Sequence, residues 1–211
     1  MLKAVIFDLD QTLIDSKDAH LAAMLDGLER EGWSTKITWI YGLTAEDILK
    51  YNFNDMPEEV IEKIAAHKKT ILKNYLTKIK VLPGAFELLN FLKKSGIKII
   101  LITNNTHKEI KEILDTVEMT NYFDEIVGKE DAEPKPSPHP IIKAIRDLNP
   151  PLEETIYIGD SDTDIEAAKA AGVRIMINTQ VHDTAKERYK ADWVVANLKQ
   201  TLKVIKGMTK E

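Results

Sequence analysis

Three apolar runs in this chain lead straight into polar residues that could do chemistry. Val5-Ile6-Phe7 runs into Asp8-Leu9-Asp10-Gln11-Thr12, Ile99–Ile102 into Thr103-Asn104-Asn105, and Thr155–Ile158 into Gly159-Asp160-Ser161-Asp162-Thr163-Asp164. Lys135 stands between prolines in the stretch Glu133–Pro140. Taken singly, each has an ordinary reading. Acids after a strand cap turns and helices, Thr and Asn open helices, and a lysine is solvated. Taken together they need another explanation. Two unit charges about 4 Å apart repel by about 4 kcal/mol at an effective dielectric near 20. Carboxylates gathered at one pole therefore require a cation, protonation or both. Oxygen donors without sulfur or histidine favour Mg²⁺. A lysine and a threonine beside such an ion suit phosphate oxygens. The expected arrangement is acids that hold a metal, and a metal that holds a phosphate.

The elements that must position these residues follow from periodicity. Short, mostly β-branched runs at Ala4–Phe7, Ile97–Ile102, Glu125–Val127, Thr155–Ile158 and Arg174–Ile177 read as strands buried on both faces, with a sixth at Trp193–Val195. Helical spacing lies between most of them. One helix carries Ala85, Leu88, Leu89 and Leu92 and stops at Gly96; the next carries Ile110, Ile113, Leu114 and Val117. A third carries Ile141, Ile142, Ile145 and Leu148, and a fourth carries Ile165, Ala168 and Ala171 and stops at Gly172. Strand alternating with helix predicts an α/β fold, a Rossmann-like doubly wound parallel sheet. From about Asp15 to Lys80 the alternation stops and only helical periodicity remains, with Leu21, Met24, Leu25 and Leu28 on one face and Val60, Ile61, Ile64, Ile71, Leu72 and Tyr75 on another. This predicts a core of residues 1–15 and 81–211 and an inserted helical domain, 16–80. Val81-Leu82-Pro83-Gly84 is the return hinge, and Asp15 and Ser16 cap the first inserted helix. In open α/β sheets the ligand lies beyond the carboxyl ends of the strands, which is where the polar stretches fall.

Composition narrows the function classes. The chain has 211 residues, 44% hydrophobic, with a formal net charge of -5. Mixed charge without a basic face argues against a nucleic-acid partner. No cysteine is present, which excludes disulfides, thiolate ligands and a thiol nucleophile, and the five histidines show no metal-ligand spacing. No apolar run approaches the ~20 residues of a membrane span. The N-terminus enters a strand without a signal pattern, so a cytoplasmic protein is expected. No long heptad pattern predicts a coiled coil; a monomer or homodimer is expected.

The stretches FDLDQT, LITNN, KPSP and GDSDTD, in this order on a strand–helix alternation, resemble the four motifs of the haloacid dehalogenase superfamily. The helical insert resembles that superfamily's cap. The resemblance implies Asp8 as nucleophile, forming an aspartyl-phosphate, and Asp10 as general acid and then base, its backbone carbonyl ligating Mg²⁺. It implies Thr103 and Lys135 on the phosphoryl group, Asn104 on phosphate, Asp160 as a metal ligand, and Asp164 beside or in the metal shell. A carboxylate is ionised at neutral pH and needs no base to activate it. Gln11 departs from the family's usual glycine and puts the turn geometry in question.

An acid at Asp10 points away from the superfamily's dehalogenases and towards a phosphatase of small phosphate esters, phosphoglycolate or sugar phosphate in type. The alternative is a phosphomutase like β-phosphoglucomutase. A receiver domain also gathers acids, threonine and lysine at a sheet edge, but lacks both the acid pair on one strand and the insert. In the insert, Gly42-Leu43-Thr44 resembles a loop that faces the site in related phosphatases. Trp33, Lys36, Trp39, Tyr41 and Lys50 are candidates for substrate contact, each with a simpler reading as core or solvated charge. His20 reads as a partly buried helix residue.

Overall fold

The structure is a computed structural model that describes residues 1–41, 43–183, 185 and 190–209. The chain forms two compact units, one of Met1–Asp15 with Val81–Glu211 and one of Ser16–Lys80.

The first unit is built on a six-stranded sheet. Its strands are β1 (Ala4–Phe7), β2 (Lys98–Ile102), β3 (Glu125–Val127), β4 (Thr155–Gly159), β5 (Arg174–Asn178) and β6 (Trp193–Val195). The spatial order is β3-β2-β1-β4-β5-β6, with every pairing parallel. This is the doubly wound α/β order, in which the direction of winding reverses at β1. Every residue of β1 is fully buried, as a central strand covered on both faces requires. One face is packed by α6 (His139–Leu148) and α7 (Asp162–Ala170), whose Ile141, Ala144, Ile165 and Ala168 meet Ile6, Ile100, Tyr157 and Ile175. Helices α4 (Ala85–Lys94) and α8 (Leu198–Met208) pack on each other and on the sheet. Helix α5 (His107–Thr116) links β2 to β3 and begins with a capping box, Thr106 with Glu109.

Most of the periodicity reading stands. Ile142 is the exception: it is 49% exposed although its spacing placed it on the core face of α6. Successive helical residues point about 100° apart, so with Ile141 fully buried its neighbour turns outwards. Gly84 occupies a left-handed conformation (φ 97°) before α4, and a β-carbon there would lie 3.2 Å from Leu198 Cβ. The Leu82 N–H donates to the Leu13 carbonyl at 3.0 Å, so the outgoing and returning connections run side by side.

The second unit holds α1 (Lys17–Arg30), α2 (Ala45–Asn52), α3 (Glu58–Ile71) and a 3₁₀ turn at Leu72–Lys78. Met24, Leu28, Ile48, Leu49, Ile61 and Ile64 form its own core. Helices α1 and α3 meet at Gly27, where a β-carbon would stand 2.9 Å from Ile64 Cγ2. Asp26 then ties α1 to His67 (2.7 Å) and Tyr75 (3.0 Å). Trp33 and Trp39 pack against this core, and Lys50 pairs with Glu58 at 2.9 Å. Ser16 occupies the N-cap position of α1, but its side chain does not bond the helix end. His20 is half-buried on α1. Gly42 lies outside the described residues. No helix among the described residues is long and apolar enough to cross a membrane.

Two aspartates set strand register by the same device. Asp124, just before β3, donates its N–H to the Ile99 carbonyl (2.7 Å) and accepts the Ile99 N–H on Oδ2 (2.9 Å). Asp192, just before β6, repeats this on Ile175 at 2.9 and 2.8 Å. Burial alone would raise both carboxyls. The Lys98 and Ile99 bonds to Asp124, and the Ile175 and Lys169 bonds to Asp192, hold them below the ordinary value of 3.8. Asp192→Ala leaves the buried Ile175 N–H unpaired and is expected to lower stability at pH 7 by about 1–3 kcal/mol. Because the folded pKa is depressed, that stabilisation is complete above the unfolded value and fades as pH falls through the folded one. Urea titrations of wild type and variant should differ most at pH 7 and converge below about pH 4.

Candidate active site

The parallel sheet brings the carboxyl ends of β1, β2 and β4 together, and the polar stretches follow those ends. The Asp8 N–H still belongs to the ladder, donating to the Ile158 carbonyl at 2.9 Å. The chain then turns sharply, with the Leu13 N–H on the Leu9 carbonyl (2.9 Å) and the Gln11 N–H on the Ile14 carbonyl (2.6 Å). Gln11 takes a left-handed conformation, φ 63°, where glycine would be unstrained. A side chain there costs roughly 1–2 kcal/mol, and the surrounding structure, in which Gln11 is buried, sustains it.

Lys135 is the hub. It is buried, and its ammonium donates to Asp8 Oδ1 (2.6 Å), Asp164 Oδ1 (2.6 Å) and the Tyr157 hydroxyl (3.0 Å). These three acceptors match the three N–H groups an ammonium carries. Burial alone would depress Lys135, but the Asp164 and Asp8 carboxylates hold it well above its ordinary value. Asn104 clamps the Lys135 backbone from both sides, accepting its N–H on Oδ1 (2.9 Å) and donating Nδ2–H to its carbonyl (3.0 Å). The Asn104 side chain, read from the sequence as a phosphate holder, is engaged in placing Lys135. The Lys135–Pro136 peptide is cis.

The acids divide by their partners. Asp164 is saturated: Oδ1 accepts from Lys135 and from Tyr157 O–H (2.9 Å), and Oδ2 accepts the Asp160 N–H (3.2 Å), the Ser161 N–H (3.1 Å) and Ser161 Oγ–H (2.6 Å). Burial would raise it, but Lys135 and Ser161 hold it below the ordinary range. Asp160 accepts Thr12 Oγ–H on Oδ1 (2.8 Å) and meets His182 Nε2 with Oδ2 (2.7 Å). Burial first, then the charge of Asp164, pushes Asp160 up to about 8. Asp8 is also driven well above the ordinary range, by burial and by Asp164, Asp160 and Asp10, against the pull of Lys135. Asp10 is half-buried and accepts Asn105 Nδ2–H at 2.6 Å. Thr103 is buried, and its Oγ1 accepts the Asn105 N–H at 3.3 Å.

One oxygen from each of Asp8, Asp160 and Asp164 lies within 4.8 Å of the others. When all three carboxylates are ionised, one buried ammonium leaves two negative charges, the charge of a single divalent cation. The donor set is all oxygen. The residues therefore fit a hard divalent ion.

The sequence reading named Asp8, Asp10, Thr103, Asn104, Lys135, Asp160 and Asp164, and all of them lie at this pole of the sheet or in hydrogen-bonded contact with its residues. It gave no role to Tyr157, Thr12, Asn105, Ser161 or His182. Tyr157 reads as core in an apolar strand, and it is fully buried. Thr12, Asn105 and Ser161 sit within the polar stretches, so their positions carried a signal. His182 carried none, because the reach of the loop after β5 is not written in its composition.

The family profile described as haloacid dehalogenase-like hydrolase matches residues 5–178, from β1 to the end of β5. The chain belongs to the haloacid dehalogenase-like hydrolases. Among its relatives, the phosphoglycolate phosphatase of Aquifex aeolicus (strain VF5) is 34% identical over 196 residues, covering 86% of this chain and 91% of that protein. The pyrophosphatase PpaX of Halalkalibacterium halodurans is 28% identical over 182 residues, covering 83% of each chain. The crystal structure of a hydrolase from Pseudomonas syringae superposes with a TM-score of 0.79 at 24% identity, over 97% of this chain and 98% of that one, a likeness of fold.

Gly159 gives the site a direct test of packing. A β-carbon there would stand 2.5–2.6 Å from three atoms of the Asp164 carboxyl end. Asp164 is buried and held by five hydrogen bonds, so it cannot swing aside. Gly159→Ala is expected to destabilise the fold by about 1–3 kcal/mol through overpacking, read as a lowered urea midpoint.

Proposed function

We propose that this protein is a Mg²⁺-dependent phosphatase that hydrolyses small phosphate esters through an aspartyl-phosphate on Asp8. The observation that carries the reading is the buried Lys135 ammonium held 2.6 Å from Asp8 Oδ1, with an Asp160 carboxyl oxygen within 4.8 Å of one on Asp8.

The roles follow from the contacts. Asp8 attacks phosphorus through a carboxylate oxygen, a P–O bond to Asp8 forms, and the ester P–O bond breaks. Asp10 donates a proton to the departing oxygen, then takes one from the water that cleaves the acyl-phosphate and frees Asp8. Asn105, at 2.6 Å from Asp10 Oδ2, keeps that carboxyl oriented for both steps. Thr103 hydrogen-bonds the phosphoryl group and Lys135, beside Asp8, offsets its charge, while Asn104 supports this by fixing the Lys135 backbone. Asp8, Asp160 and the Asp10 backbone carbonyl would hold Mg²⁺, while Asp164, with both oxygens engaged, acts by anchoring Lys135 and the loop at Ser161. When bound, the ion offsets the charge that carboxylate and phosphate would otherwise oppose to each other.

We read the Ser16–Lys80 unit as the cap that selects substrate in a cytoplasmic enzyme working as a monomer or homodimer. The names of its relatives direct the substrate panel to 2-phosphoglycolate and inorganic pyrophosphate, and the sequence reading adds sugar phosphates.

Phosphate release from that panel is expected to need Mg²⁺, to stop with EDTA, and to vanish in Asp8→Asn. Asp10→Asn should lower kcat by ~10²–10⁴-fold while the protein stays folded. Turnover indifferent to EDTA or to Asp8→Asn would overturn the reading. A product that is an isomer of the ester, with little free phosphate, would indicate a phosphomutase instead. Excision of residues 17–79 should leave activity on an activated aryl phosphate and erase selectivity among metabolites. A trimmed protein that folds and keeps its full preference would refute the cap assignment.

A further inference from the structure

Asp160 is held at both oxygens, by two elements that the polar motifs do not connect. Thr12, in the turn after β1, takes Oδ1. His182, in the loop after β5, takes Oδ2 at 2.7 Å, with both side chains almost wholly buried. The loop that delivers His182 is itself tied down. Asn178 Oδ1 accepts the Gln180 N–H (3.0 Å), Gln180 Oε1 accepts the Leu198 N–H (2.9 Å), and Gln180 Nε2–H reaches the Pro83 carbonyl (3.3 Å). Because β5 neighbours β4 in the sheet, the loop after β5 opens beside Asp160.

We propose that His182 is a positioning residue for the cation site: its Nε2–H fixes Asp160 Oδ2, so that the carboxylate keeps its remaining lone pairs for a divalent ion shared with Asp8. The inference rests on the reading of Asp160 as a metal ligand. A carboxylate has about four acceptor sites, so one bond on each oxygen orients the group without exhausting it. That is the opposite of Asp164, whose oxygens take two and three bonds. With Thr12 alone the carboxyl could rotate about its single anchor; with His182 it cannot. Partners of this kind, bound to a ligand rather than to the metal, change metal affinity by ~10–100-fold when removed.

The test measures metal binding directly. Metal-stripped wild type, His182→Leu, His182→Asn and His182→Gln are titrated with Mn²⁺, with free ion read by electron paramagnetic resonance, and with Mg²⁺ by calorimetry. Circular dichroism and urea midpoints report the metal-free fold. His182→Leu and His182→Asn, the first without a donor and the second too short to reach Asp160, should each bind both ions ~10–100-fold more weakly. His182→Gln, whose longer amide can place an N–H near the Nε2 position, should recover most of the affinity. A histidine that serves only packing would shift the urea midpoint in all three and leave the dissociation constant of the folded fraction unmoved; that result overturns the proposal, as does a glutamine variant no better than leucine. If leucine does not fold, the asparagine–glutamine pair decides alone. A wild type that binds neither ion overturns the metal reading itself, whereas normal wild-type binding with unaffected variants overturns only the role of His182.

Discussion

A single buried ammonium holds this site together. Without Lys135, the buried Asp8 and Asp164 would each lose the ammonium they now bond. With it, each has a 2.6 Å charge-assisted bond. Removing one partner from such a buried set is far more costly than the set is stabilising, because the remaining charge has nowhere to go. That asymmetry explains the care with which Lys135 is placed: Asn104 grips its backbone and Tyr157 takes the third N–H. The compensation is deliberately incomplete. With all three carboxylates ionised, one cation leaves two negative charges, which a divalent ion would balance.

Topology decides which residues can answer that demand. The nucleophile candidate follows β1, the threonine follows β2, the second acid follows β4, and the lysine comes from the crossover between β3 and β4. Only a parallel sheet puts all of those ends at one pole, and only with β1 at the point where winding reverses do the loops on its two sides open over it. The register device at Asp124 and Asp192 works at the opposite ends of the strands, where it fixes relative height. A slip of one residue would carry Asp8 to the other face of the sheet.

Two of the fold's local irregularities lie at the site. Gln11 sits in left-handed backbone, and Gly159 gives up its side chain so that the Asp164 carboxyl can lie against the strand end. Each breaks a rule followed elsewhere in the core, and each does so within reach of the acid cluster. Strain of this kind persists only where surrounding structure over-determines it. The tight turn Leu9–Ile14 and the five bonds on Asp164 supply that constraint.

Much of this was legible in the chain. Buried apolar runs separated by helical periodicity determined a parallel α/β sheet, because strands covered on both faces leave no other economical pattern. Acids placed directly after such strands pointed to a cation, protonation or both at that pole, because ionised carboxylates at neighbouring strand ends repel one another. Tertiary structure decided the division of labour among them. Asp160 and Asp164 are four residues apart and chemically alike, yet one keeps lone pairs to offer and the other is saturated, since only folding reveals which donors surround each. It also set the Asn104 side chain on the Lys135 backbone, hid Tyr157 in a strand that reads as core, and carried His182 to Asp160 across 22 residues. Strand and helix patterns depend on neighbours in sequence, and hydrogen-bond partners on neighbours in space; that difference sets the limit of what could be read before the chain was folded.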